Sequence, residues 1–147
     1  RSLRAVTDLE SLGEVSITVD CDVLEADGGT RTASITAAFV ALVDAVRSVP
    51  VFRRARRLPF TAAVAAVSAG IVDGRPLLDL DYSEDAAATV DMNVVMTSRN
   101  QYVEIQGTGE EATFGDDELE RMLKLTRSGV LRLTYLEITA LGRRLPF

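Results

Sequence analysis

The run AAVAAVSAGIV, residues 62–72, followed at once by Asp73-Gly74 and then RPLLDLDY, constrains this chain more than any other stretch. Small and β-branched residues fill the run and it carries no charge, which suits a buried strand. An Asp-Gly pair between two such segments predicts a tight hairpin. A sheet is therefore expected at the centre, and the rest of the chain has to cover it. TVDMNVVMT (89–97) and YVEIQGTG (102–109), joined by the polar SRNQ, predict a second strand pair. The short acidic link SEDAAATVD connects the two pairs.

Two helices are predicted as cover. Ile35, Ala38, Phe39, Leu42, Val43 and Val46 recur at i, i+3, i+4 and i+7, so they share one helix face. Thr30 is the expected N-cap, and Pro50 lies just past the last periodic residue. From Asp116 a second stripe runs through Leu119, Met122, Leu123, Val130 and Leu133. Gly115 is its expected N-cap, with Glu118 reaching back to the Gly115 amide, and Gly129 is the expected place for a kink or split. Upstream, Val15, Ile17, Val19 and Cys21 alternate with polar residues, predicting a further strand with Cys21 on its buried face. These elements together predict a layered α+β domain, with helices packed on a mixed sheet.

Composition narrows the chemistry. The chain of 147 residues has no histidine and a net charge of −6. The commonest general base is thus missing, and any chemistry falls to carboxylates, arginines and hydroxyls. The acidic balance disfavours binding of DNA or RNA through bulk charge, so polyanions must be met by a local patch. The only dense basic run is RRARR, with Arg53, Arg54, Arg56 and Arg57 between Pro50 and Pro59. It reads as an exposed connection, and as the one place where RNA phosphates would be met. A single cysteine forms no internal disulfide, which fits a reducing compartment. No signal-peptide pattern or membrane-length apolar run is present, so a cytoplasmic location without membrane contact is expected.

Two constellations stand out. Gly28, Gly29, Thr30 and Arg31 sit at the mouth of the first long helix. Unpaired amides at a helix start, glycines that let an anion approach, and a forked guanidinium suit a phosphate. A plain Gly-Gly turn with a solvated arginine is the simpler alternative. The second is the acidic run Asp79, Asp81, Glu84, Asp85 and Asp91. Asp79 and Asp81 are expected on one strand face. Asp85 and Asp91 would converge if the link folds as one short turn, and paired carboxylates hold Mg²⁺ through oxygen ligands. Here the simpler alternative is a helix cap with solvated neighbours. Tyr82 and Tyr102 flank this region and are expected to pack.

The blocks DCDVLEADGGTRTASITAAFVAL, GIVDGRPLLDLDYSEDAAATVDMNVVMT and YVEIQGTGEEATF occur in order and closely resemble the ribonuclease PH family of phosphorolytic 3′→5′ exoribonucleases. The resemblance implies a two-layer β-α sandwich related to the second domain of ribosomal protein S5. Residues 1–147 would be the C-terminal portion of a single such domain, incomplete at its N-terminus. It implies that Gly29, Thr30 and Arg31 bind the attacking inorganic phosphate. Asp85 and Asp91 would be the catalytic and metal-binding aspartates, with Mg²⁺ the expected metal. The implied reaction trims tRNA precursors from the 3′ end and releases nucleoside diphosphates. The implied assembly is a hexameric ring of dimers, with RNA and not DNA as partner. The competing expectation within the same fold is a non-catalytic RNA-binding or ring-scaffold subunit, or an inactive fragment.

Overall fold

In the computed structural model, which describes residues 1–110 and 112–142, one sheet carries the architecture. Its strands are β1 (Val64–Val72), β2 (Arg75–Leu78), β3 (Val90–Thr97) and β4 (Tyr102–Gly109). They lie in the order β2-β1-β3-β4, and every pairing is antiparallel, so the expected mixed sheet is corrected. Two of the pairings are hairpins, β1–β2 and β3–β4, which reverse direction; β2 and β3 flank β1 and run the same way, with α4 carrying the chain between them, so β3 too is antiparallel to β1. The Asp73-Gly74 turn behaves as its sequence demands. Both residues take positive φ, 49° and 71°, and Val72 pairs with Arg75 across them. That is the backbone of a two-residue hairpin whose twist matches its strands.

Helices cover the sheet on two sides. On one face α3 (Thr30–Ser48) buries Phe39, Val43 and Val46 against Val64, Ala66 and Val95. On the other, α5 (Asp116–Leu141) buries Met122 and Val130 against Val67, Met92, Val94 and Met96. Alternation along β1 and β3 sends neighbouring residues to these two cores. Two single-turn helices, α1 (Ser2–Ala5) and α2 (Leu9–Leu12), precede α3, and α4 (Tyr82–Ala87) links β2 to β3. Beyond the end of β2 the backbone of β1 lacks a strand neighbour at Ala66. The Thr36 hydroxyl of α3 fills that gap, accepting from Ala66 N–H at 3.0 Å and donating to its carbonyl at 3.3 Å.

Several expectations are corrected. Residues 14–23 form no strand among the described residues; they run as irregular chain, and Cys21 is exposed. Alternation supplies two faces but not a neighbour, and no described strand pairs with this segment. The cap of α3 is Gly29 rather than Thr30, which is the first helical residue and donates its hydroxyl to the Asp27 carbonyl at 2.9 Å. Asp79 and Asp81 do not share a strand face: β2 ends at Leu78, Asp79 has φ 60°, and Asp81 caps α4. Helix α5 runs through Gly129 without a break. A Cβ there would lie 3.1 Å from a Leu78 methyl, so the glycine serves close helix–sheet contact. Tyr82 is exposed rather than packed. Tyr102 meets Arg127, whose guanidinium lies 5.8 Å from the ring centroid and donates to the phenol oxygen at 3.2 Å. As expected, Gly115 N–H donates to the Glu118 carboxylate at 2.9 Å.

Candidate active site

The start of α3 lies against one end of the sheet and is held there by its glycines. A Cβ on Gly28 would sit 2.0 Å from the Leu80 carbonyl oxygen, so only glycine fits. Gly29 has φ 69° and packs on Ser68; a Cβ there would lie 3.1 Å from the Ser68 hydroxyl oxygen. Asp27 accepts from the Tyr82 N–H at 2.6 Å, which ties the turn to the first residue of α4. Asp81 caps that helix by accepting from Glu84 N–H, and Glu84 accepts in return from Asp81 N–H. The Ser83 hydroxyl, and then the Glu84 amide, hold the Asp81 carboxyl below its usual range. The first turn of α3, in contrast, holds no acidic side chain, and its leading amides have no intrahelical acceptor.

Register places the other groups. Residues directly opposite in an antiparallel pair share a face. Ser68 is opposite Asn93, and Asn93 is opposite Gln106. Gly70 is opposite Asp91, and Asp91 is opposite Thr108. Glu104 is opposite Val95, a residue of the α3-side core. Ser68, Asp91, Asn93, Glu104 and Gln106 therefore line the face on which α3 lies. Arg31 reaches over this face and pairs with Glu104 at 2.6 Å. It also borders a cavity of about 1070 Å³, lined by Ile17, Val19, Cys21, Ile35 and Gln106 among others.

Asp91 is half-buried. Burial first, then the negative charges of Asp85 and Glu110, hold its carboxyl above the usual carboxylate range. The two aspartates thus lie close enough to feel each other. Asp85 lies within α4 and Asp91 is the second residue of β3, so the chain between them leaves the helix and enters the strand. Gly28 packs against Leu80 and Asp81, and Gly29 against Ser68, two residues from Gly70, the partner of Asp91; the Arg31 guanidinium reaches instead to Glu104, level with Val95.

Arg53, Arg54, Arg56 and Arg57 are not brought to the α3 start. They are exposed, as expected, but they follow the far end of α3. The 19 residues of that helix span about 28 Å at ~1.5 Å each. Sequence reasoning missed Glu104, Asn93 and Ser68. Ser68 was signalled as the one polar residue in an apolar run, and Asn93 by standing two residues from Asp91. Glu104 left no signal, because its role depends on which strand becomes the neighbour.

The match to known proteins follows the same division. The model "3′ exoribonuclease family, domain 1" matches residues 1–48, and "3′ exoribonuclease family, domain 2" matches residues 62–129. A ribonuclease PH from Corynebacterium efficiens is 54% identical over 142 residues, which is 97% of this chain. The chain spans 58% of that relative's length. The crystal structure of rice (Oryza sativa) Rrp46 superposes with a TM-score of 0.64 at 18% identity, over 82% of this chain and 52% of the other. That likeness is one of fold: an α+β sandwich built on the same sheet. With both family models matched across most of its length, the chain belongs to the 3′ exoribonuclease family.

Proposed function

We propose that this chain carries the phosphate-binding and aspartate parts of a phosphorolytic 3′→5′ exoribonuclease that trims tRNA precursors. One observation carries the reading: the turn that opens α3 is tied by the Asp27–Tyr82 bond to α4, the helix that holds Asp85, and packs on Ser68, two residues from the partner of Asp91. Inorganic phosphate and the terminal phosphodiester are both anions and repel. The amides of α3 and the Arg31 guanidinium offset the charge of the small anion and orient one of its oxygens toward phosphorus. The new P–O bond forms as the bond to the preceding ribose 3′ oxygen breaks. The products are a nucleoside diphosphate and an RNA shortened by one residue, whose 3′ oxygen takes up a proton.

Asp85 and Asp91 fit a divalent cation by their chemistry. Both are oxygen donors, and Asp91 is partly shielded from water beside two negative neighbours. Mg²⁺, which is held by one or two carboxylates and otherwise keeps waters and phosphate oxygens, suits such a pair. Bound there, the ion would neutralise charge on the reacting phosphates. The residues 1–147 act in this reading as one part of a longer ribonuclease PH-like domain. RNA and further copies of the chain, in a ring of dimers, are the proposed partners. No helix among the described residues is long and apolar enough to cross a membrane, in keeping with the proposed cytoplasmic setting.

The ion pair of Arg31 with Glu104 favours a second reading, a non-catalytic RNA-binding subunit whose guanidinium is already occupied. The test is to incubate the chain within its full-length protein with 3′-extended RNA and Mg²⁺, with and without phosphate. Nucleoside diphosphate released only when phosphate is present supports phosphorolysis. RNA binding without any release, from a folded protein, supports the second reading.

A further inference from the structure

Glu137 stands in the C-terminal part of α5, four residues before Leu141, where the helix passes the free edge of β1 and meets α3. It is 3% exposed, and neither carboxylate oxygen has a hydrogen-bond partner. It opens onto a cleft of about 380 Å³ whose walls are mostly aliphatic, including Val40, Leu133 and Leu136. Gly28 and Gly29 close one side, and exposed Asp79 stands at the rim. Among the described residues the only other titratable group lining the cleft is Asp79; α3 presents Thr32, Thr36 and Val40 to it, and β1 presents Ala66.

An isolated buried carboxylate is strongly unfavourable unless a positive partner reaches it. No cation of this chain does so among the described residues. A divalent metal is a poor match, because among the described residues the lining beyond Glu137 and Asp79 is mostly aliphatic and offers no further carboxylate oxygen. The aliphatic walls instead suit methylene groups, and the volume lies within the range of small-ligand sites, about 300–1,000 Å³. We propose that the α3–α5 cleft binds a small aliphatic ammonium ion, with Glu137 as its counter-ion and Asp79 at the rim receiving a second ammonium group. The cleft shares its Gly28–Gly29 wall with the phosphate turn, but ammonium binding in it does not depend on phosphorolysis.

The exchange balances simply. Burial pushes the Glu137 carboxyl up to about 8, so at neutral pH the cleft holds the protonated acid. An entering ammonium ion forms the ion pair and expels that proton to the buffer. Titration calorimetry of the chain with 1,4-diaminobutane, in buffers of different ionisation enthalpy, reads both binding and proton release. The expected result is millimolar or tighter binding, release of about one proton, and affinity falling about tenfold per unit of pH below 8. The neutral analogue 1,4-butanediol should not bind. Glu137→Gln copies the shape of the protonated acid and should lose both binding and proton release. Absence of binding, or equal binding by the diol or by the Gln variant, overturns the proposal. If the Gln variant does not fold, the diol comparison and the proton count decide by themselves.

Discussion

Arg31 lies between two acceptors, the Glu104 carboxylate that it grips and any anion at the start of α3. A guanidinium has donors enough for both, since its five N–H groups form a fork. Removing it should therefore act on the small anion first. Arg31→Ala is expected to lower phosphate-dependent turnover about 100-fold or more while leaving RNA affinity within a few-fold. Equal losses in a phosphate titration and an RNA-binding assay would contradict that role. Glu137 yields a different prediction, on stability. Its carboxyl titrates near 4.5 when unfolded and near 8 when folded. Between those values the native chain keeps a proton that the unfolded chain has released, so stability falls as pH rises and levels off above about 8. Glu137→Gln should remove that slope and be more stable above pH 8 by on the order of 4 kcal/mol. Urea unfolding on both sides of the window measures it; parallel curves for the two proteins would refute it. The sequence held a clue to Glu137, a charged residue in the register of Val130, Thr134 and Leu141. Its burial depended on α3 crossing at that height, which no local pattern states.

At the scale of elements, legibility followed how local the causes are. The β1–β2 hairpin was readable because Asp73-Gly74 requires positive φ at both positions. Helix α3 was readable from its apolar stripe. The segment 14–23 was misread because a strand is a property of two chains, and alternation describes only one of them. The cap of α3 was misplaced by one residue for a related reason. Gly29 takes the left-handed conformation against Ser68, a contact across 39 residues of sequence. The close fit of this turn on the β2–α4 link leads to a prediction. In Gly28→Ala the new methyl meets the Leu80 carbonyl and the Asp81 backbone, so turn and link must separate. The expected loss is about 2–3 kcal/mol in stability, with a raised KM for phosphate. Denaturation and phosphate kinetics together test it, and unchanged values in both would show that the turn yields freely.

For the whole molecule, charge and distance act together. The chain carries −6, so RNA is repelled on average and drawn only where cations gather. The four arginines after α3 lie about a helix length from the phosphate turn. In the proposed function they would meet RNA upstream of its reacting end. Replacing Arg53, Arg54, Arg56 and Arg57 with alanine should reduce the slope of log affinity against log salt by about 2–3. Turnover of oligonucleotides too short to span that distance should be unaffected. A fall in short-substrate turnover, with an unchanged salt slope, would place these arginines at the reacting end instead.

The hydroxyl of Thr36 occupies the amide and carbonyl of Ala66, which no strand reaches where β2 stops short. Valine has almost the same outline but nothing to offer either group. Chains with Thr36→Val would thus leave this length of strand unpaired beneath α3, a template on which a foreign strand docks once the covering helix loosens. Mild heating of that variant should yield thioflavin-positive aggregates well before the parent does, whereas Thr36→Ser should stay clear. One side-chain oxygen, far from any reacting atom, would then decide whether this molecule tolerates its own neighbours.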